Sequence, residues 1–300
     1  MNERTRWMFI LLATMALWAT FHPIGKILLK DISPLTLSFF RVFFALFFFI
    51  PYLAHKRQLH LPAKGDLKYV AINAGIGVFL AMGLNATGLS LSTASASAVL
   101  INTNPLFVAA IALVLGESMN GRQWLGLLLG VAGMALVVTG GNLDFAANPE
   151  YLAGNLLLLA GALCVAIATL AAAPLAHRMG AVRGQFWGIV PAVAGFFMAW
   201  VLAGEWQHLA ELTPWHWAGM IWIGVMVSGV CWSLFFEGIR RLGVLTTAGF
   251  KLAVPVFAVA YAALLLGEAP TPAFWAGTAL VIGGLALANR HPDGIKTTAA

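Results

Sequence analysis

The chain has 300 residues, of which 61% are hydrophobic and only 9% charged, with a mean hydropathy of +0.88. Ordinary soluble domains carry roughly 25% charged residues, so no soluble fold can hide this much apolar surface and the chain reads as an integral membrane protein. Its formal net charge of +6 would suggest nucleic acid in a soluble protein, but in a membrane protein the charge has to be read by position along the chain.

From the N-terminus, Arg4 and Arg6 lead into an apolar run over 7–29. The apolar core of a secretory signal peptide is only ~7 to 15 residues long, so this longer run is predicted to be a retained first span. Crossing a bilayer takes ~20 mostly apolar residues per helix, because backbone polar groups in lipid must pair within their own segment. Further windows of that kind fall at 35–53, 67–89, 94–115, 124–139, 152–173, 183–203, 215–237, 245–266 and 272–288, which makes ten with the first. Cys164 and Cys231 both lie inside apolar windows. They read as packing residues, with no disulfide framework and no thiol metal motif.

With the N-terminus in the cytoplasm, Arg4, Arg6, Lys56, Arg57, Lys64, Lys68, Arg122, Arg178, Arg183, Arg240, Arg241, Arg290 and Lys296 all fall on the cytoplasmic side, and only Lys30 on the other. That asymmetry is what the positive-inside rule asks of short loops, and a span count changed by one would scramble it. The basic excess therefore sets topology: a multi-pass protein of the bacterial inner membrane, both termini cytoplasmic, with no nucleic-acid partner. Asp144, Glu150, Glu205 and Glu211 fall in the opposite loops, which hold almost no base.

The segment 105–117, Pro-Leu-Phe-Val-Ala-Ala-Ile-Ala-Leu-Val-Leu-Gly-Glu, is echoed at 255–268 by Pro-Val-Phe-Ala-Val-Ala-Tyr-Ala-Ala-Leu-Leu-Leu-Gly-Glu. Trp124, Gly126 and Gly133 recur as Trp275, Gly277 and Gly284. Turn-forming Gly, Asn, Asp and Pro mark a linker, and the chain divides into a first repeat at 1–141, a linker at 142–150, a second repeat at 151–290 and a cytoplasmic tail at 291–300. Five spans per half is an odd number, so the second half enters the membrane from the opposite face. The expected fold is all-α, ten transmembrane helices as two inverted five-helix repeats around a central cavity. Such repeats characterise secondary transporters, whose substrate sites lie near mid-membrane.

The Pro, apolar run and Leu-Gly-Glu pattern ending spans four and nine, each followed by a Gly-rich span, resembles the drug/metabolite transporter superfamily, specifically its ten-span group built from two EamA-type repeats. Leu17-Trp18, Lys26, Ser33-Pro34-Leu35-Thr36 and Arg41 are similar to the family's opening, with Ala19 where a Gly is common. The resemblance covers nearly the whole chain. It implies a ten-helix bundle around a central cavity and export of metabolites or amino acids, and the wealth of Trp and Phe resembles the aromatic amino acid exporters. These motifs are specific to the superfamily and weakly informative about substrate.

Of the 17 Lys and Arg, only Lys26, Arg41 and Lys251 fall within spans. Ionisable groups there are functional candidates, against the competing reading that long side chains snorkel to the interface. Lys251 is favoured, since it precedes Pro255 by one turn on the repeated helix. All 11 Asp and Glu fall in tails, loops or span ends, so no carboxylate is expected at mid-membrane. Proton-coupled export of lipophilic cations relies on such a group and is disfavoured, whereas a positive cavity suits an anion or the carboxylate of a zwitterion.

On the intrinsic pKa of its side chain His22 is the best titrating candidate within the spans, and it sits beside Pro23, which frees a backbone carbonyl one turn back; its competing role is a hydrogen-bonded packing histidine. Asn73 in span three, and Asn102, Thr103 and Asn104 in span four, either bind substrate or bond neighbouring helices. Trp18, Trp232 and Phe79 lie deep enough to stack on a substrate, although a lipid-facing ring is equally allowed. Gly126, Gly130 and Gly133, with Gly277, Gly283 and Gly284, put small residues on one side of spans five and ten, as a close-packed scaffold requires.

The expected substrate-binding set is Trp18, His22, Asn73, Phe79, Asn102, Trp232 and Lys251. Lys251 attracts a carboxylate, Asn102 and Asn73 orient it, and the rings hold the apolar portion. No catalytic residue, metal site or cofactor is expected, for the chain has no His-Glu-x-x-His pair, buried Asp pair, phosphate-cradling Gly loop or Ser-His-acid set. The expected function is a secondary transporter or facilitator exporting small metabolites, amino acids (aromatic or other neutral) first, by alternating access. The alternatives are a proton-coupled multidrug exporter and an organic-anion or sugar-phosphate exporter; the latter needs more clustered bases than three scattered ones. The expected partners are a small-molecule substrate and the lipid bilayer, and no oligomer is required.

Overall fold

The computed structural model describes residues 2–116, 119–139, 148–171 and 173–288, except the side chains at 244, 245, 248 and 288. Most of the expected linker at 142–150, the tail at 291–300 and Glu117 of the first Leu-Gly-Glu motif lie outside the described residues. Among those described there is no strand. Nine helices of the described residues are apolar and long enough to cross a bilayer: α1 (Glu3–Leu28), α2 (Pro34–His55), α3 (Lys64–Leu91), α4 (Ala94–Val114), α5 (Gly121–Thr139), α6 (Pro149–Ala171), α7 (Ala181–Leu202), α8 (Pro214–Leu242) and α9 (Gly249–Leu266), the last led in by a helical segment, Val244–Lys251. The tenth, α10 (Pro272–Ala288), is apolar and 17 residues long, or about 26 Å by helical rise. The chain is thus an all-α membrane protein of ten spans in two inverted halves.

Local chemistry explains the helix starts. Ser33 Oγ accepts from the Thr36 N–H at 3.0 Å, with Pro34 in the first turn; Thr93 does the same for Ala96 at 3.0 Å; and Thr213 with Pro214 opens α8. Hydroxyl caps and a first-turn proline both suit a helix N-terminus, where backbone donors have no partner within the helix. Irregularities recur at matching places in the halves. A π-helical stretch interrupts α3 at Asn73–Leu80 and α8 at Trp222–Cys231. α4 breaks at Asn102 and Thr103 ahead of Pro105, and the ninth span breaks at Leu252 ahead of Pro255. Proline has no N–H to give to the carbonyl one turn back, so the preceding residues turn through tighter bonds, such as Leu252 N–H to Gly249 O at 3.2 Å.

Two apolar clusters hold the bundle. One is built mainly by α1, α2, α7 and α8 around Met15, Phe49, Phe196, Met220 and Val227. The other joins α4, α5, α6 and α10 around Leu100, Leu106, Val137, Leu158 and Val281. Each mixes elements of both halves. α5 and α10 lie backbone to backbone, since a Cβ at Gly133 would stand 2.6 Å from Gly277 O, and one at Gly284 would stand 2.5 Å from Gly126 O. Gly283 departs from the expected stripe and faces open space, because it is the neighbour of Gly284 and so points off the shared face.

The bundle has a basic face, at the N-terminal end of α1, and an acidic one opposite. At the basic face Arg241 pairs with Glu3 and lies 4.6 Å over the Trp7 ring, and Arg178 pairs with Asp66 at 2.8 Å. At the acidic face Glu205 accepts from Ser33 Oγ (2.8 Å) and Thr36 Oγ1 (2.9 Å). Glu268, which closes the second Leu-Gly-Glu motif, accepts from the N–H groups of Ala94 (2.7 Å) and Ser95 (3.0 Å) and from Ser95 Oγ (2.5 Å), so it caps α4 of the other half. Glu268→Ala is expected to lower the melting temperature of the detergent-solubilised protein by about 2 to 5 °C, from a lost cap of about 1–2 kcal/mol. Glu268→Gln, which keeps one acceptor oxygen, should lose less, and wild-type melting in both would show that the cap contributes nothing.

Candidate functional site

Because Pro255 cannot donate to the carbonyl of Lys251, the leading segment of span nine ends there. A cation is favoured at such a helix C-terminus by the unpaired carbonyls. The ammonium stands 5.5 Å from the ring centre of Trp18, 5.8 Å from that of Phe235 and 5.9 Å from that of Trp232. Trp18 and Trp232 are themselves 4.8 Å apart, and Phe235 meets Trp18 edge-on at 5.8 Å. Three rings from α1 and α8 thus turn their electron-rich faces toward one cation. Among the described residues the ammonium has no hydrogen bond or ion pair, and beside it the Trp232 indole N–H is buried without an acceptor. Two donors therefore meet here with nothing to receive them.

The structure brings together Trp18, Trp232 and Lys251 of the expected set and adds Phe235. The signal for Phe235 was its place one turn after Trp232, on the same helix face. The other expected residues are engaged elsewhere. His22, 2% exposed, lies with Nδ1 3.0 Å from Ser97 Oγ of α4. Asn102 donates from Nδ2 to the Ala98 carbonyl of its own helix at 2.8 Å. Asn73 lies against Gly188 and Phe79 against Phe196, its ring centre 4.5 Å away, both on α7. They lie on the π stretch of α3, whose extra residue per turn rotates side chains away from where an α-helical count would put them. Lys26 donates to the carbonyls of Leu89 (3.1 Å) and Ser90 (2.9 Å), which end α3.

Farther along α1, Phe21 lies 4.2 Å beneath the guanidinium of Arg41, whose Nε donates to Ser228 Oγ at 2.8 Å. Among the described residues neither deep cation has a carboxylate beside it. Glu237, the acid farthest inside a span helix, is bound to Arg240 and Arg241 near the basic-face end of α8. Among the described residues no group of His, Cys, Asp and Glu could hold a metal ion. At the acidic face a cavity of about 660 Å³ is lined by Asp31, Ser33, Thr36, Glu205, His208, Glu211 and His216 among others. None of the expected site residues lines it. With His216 Nε2 3.2 Å from the Asp31 carboxylate, it lies between the first hairpin and the segment that leads into α8.

The model of the EamA-like transporter family matches residues 5–139 and 152–290. An uncharacterized transporter of Archaeoglobus fulgidus is 26% identical over 97% of this chain and 100% of its own. The uncharacterized transporter YvbV of Bacillus subtilis is 23% identical over 99% of this chain and 95% of its own. A probable terminal-alkyne amino-acid exporter of Streptantibioticus cattleyicolor is 25% identical over 80% of this chain and 78% of its own. One solved crystal structure, 20% identical, superposes with a TM-score of 0.65 over 94% of this chain and 95% of the other, a likeness of fold.

Proposed function

The chain belongs to the EamA-like transporter family, and from that premise we propose that it exports neutral amino acids with aromatic or other apolar side chains by alternating access. It is a multi-pass membrane transporter rather than an enzyme. The observation that carries the finer reading is the unpaired Lys251 ammonium amid Trp18, Trp232 and Phe235. An ammonium and a spare indole N–H supply donors for a carboxylate, and the rings supply apolar area for a side chain. The name of the Streptantibioticus cattleyicolor relative, an exporter of an amino acid, agrees in class.

In this reading Lys251 holds the carboxylate while Trp18 and Trp232 hold the side chain. His22, Asn73, Phe79 and Asn102 belong to the walls that shift as the halves rock. The paired breaks in spans four and nine and the paired π stretches supply backbone able to bend without loss of packing elsewhere. The basic face is cytoplasmic, in a bacterial plasma membrane, and the acidic face is the exit.

The test is uptake by proteoliposomes of a labelled panel of amino acids, lipophilic cations and sugar phosphates, with and without a pH gradient. Saturable movement of neutral amino acids is expected. Movement of lipophilic cations alone, and only against protons, would overturn the reading in favour of a multidrug exporter.

A further inference from the structure

We propose that Arg41 is a second carboxylate-binding residue on the transport path, serving the half of the bundle nearer the acidic face. The inference rests on the reading above that the substrate carries a carboxylate. Arg41 lies seven residues (41 − 34) into α2 from its acidic-face end at Pro34, and Lys251 lies seven residues (251 − 244) into its segment from the basic-face end at Val244. Each is about 10 Å deep along its helix from an opposite face. The rings behind the two cations, Phe21 and Trp18, are one turn apart on α1.

The geometry around Arg41 is that of a prepared fork. Ser228 fixes Nε at 2.8 Å and Phe21 fixes the plane at 4.2 Å. Those contacts use one of five N–H donors. Among the described residues the guanidinium makes no other hydrogen bond and no ion pair, and the side chain is half-buried. A cation deep in an apolar bundle is costly when left without an anion. A planar fork with its terminal donors unpartnered matches the two oxygens of a carboxylate. Lys251 receives the carboxylate from the basic face and Arg41 holds it as the bundle opens toward the acidic face.

The experiment titrates purified full-length protein in detergent with indole-3-propionate and its neutral amide, beside proteoliposome uptake of labelled tryptophan. Wild type should bind the carboxylate about 10-fold or more tighter than the amide, and Arg41→Gln should lose a several-fold part of that preference while Lys251 keeps the rest, as expected for one of two charge-assisted contacts. Ser228→Ala, which frees Nε but leaves the fork, should keep part of it. An undiminished preference in Arg41→Gln overturns the proposal, and the functional reading then still stands if tryptophan moves. If Arg41→Gln does not fold, Arg41→Lys decides, since it keeps the charge and loses the fork: full preference there overturns the proposal. Loss of preference in a wild-type background that moves no amino acid supports Arg41 and overturns the functional reading instead. No preference in wild type overturns the role of Arg41 outright.

Discussion

Lys251→Gln is expected to cut saturable amino acid uptake by about 10-fold or more, since hydrogen bonds to a charged group contribute about 1.5–3 kcal/mol. Glutamine is nearly as long as lysine and keeps a donor, so the three rings stay packed and the protein should insert and melt as wild type does. What it loses is the charge. Among the described residues no other base lies against Trp18, Trp232 and Phe235, so no described neighbour replaces it. The same substitution leaves three aromatic faces without a resident cation, so weak binding of tetraalkylammonium ions is expected to appear. The measurement is uptake in proteoliposomes at matched protein content. Wild-type uptake by a folded Lys251→Gln variant would remove Lys251 from the site.

Gly133→Leu should lower the melting temperature by about 5 °C or more, or abolish accumulation in the membrane, because overpacking a close contact costs about 1–3 kcal/mol and often more. A Cβ there would meet Gly277 O at 2.6 Å and Val281 N at 2.7 Å. Both are backbone atoms of a helix, which cannot turn aside as a side chain can. Gly283→Leu is the control, since open space surrounds it, and it should melt as wild type does. Equal loss in both variants would mean that general helix properties, and not the α5–α10 contact, set the effect.

Most of the architecture was legible in the chain because hydropathy is a property of consecutive residues. Ten apolar windows, a one-sided distribution of Lys and Arg, and a Pro to Leu-Gly-Glu echo are enough to count the spans and invert the halves. Where the ends moved, a partner moved them. α8 runs on to Leu242 because Glu237, read as the end of a span, is paired with Arg240 and Arg241 one turn farther along. The task of the repeated Glu was not visible, since Glu268 caps α4 from a position 174 residues from Ala94.

The grouping of the candidate site was only partly legible. Depth and charge singled out Trp18, Trp232 and Lys251 one at a time, and the fold joined them. Nothing local told that Asn102 would bond its own helix, that Asn73 and Phe79 would turn to α7, or that Arg41 would be seated by Ser228 and Phe21. The sequence alone determined a membrane-spanning inverted repeat with three basic residues inside its spans and no deep carboxylate, since those follow from composition and order. Only the tertiary structure decided which side chains meet, because that depends on the rotation of each helix about its axis. Those rotations are set here by π stretches, by proline breaks and by glycines that let two backbones touch.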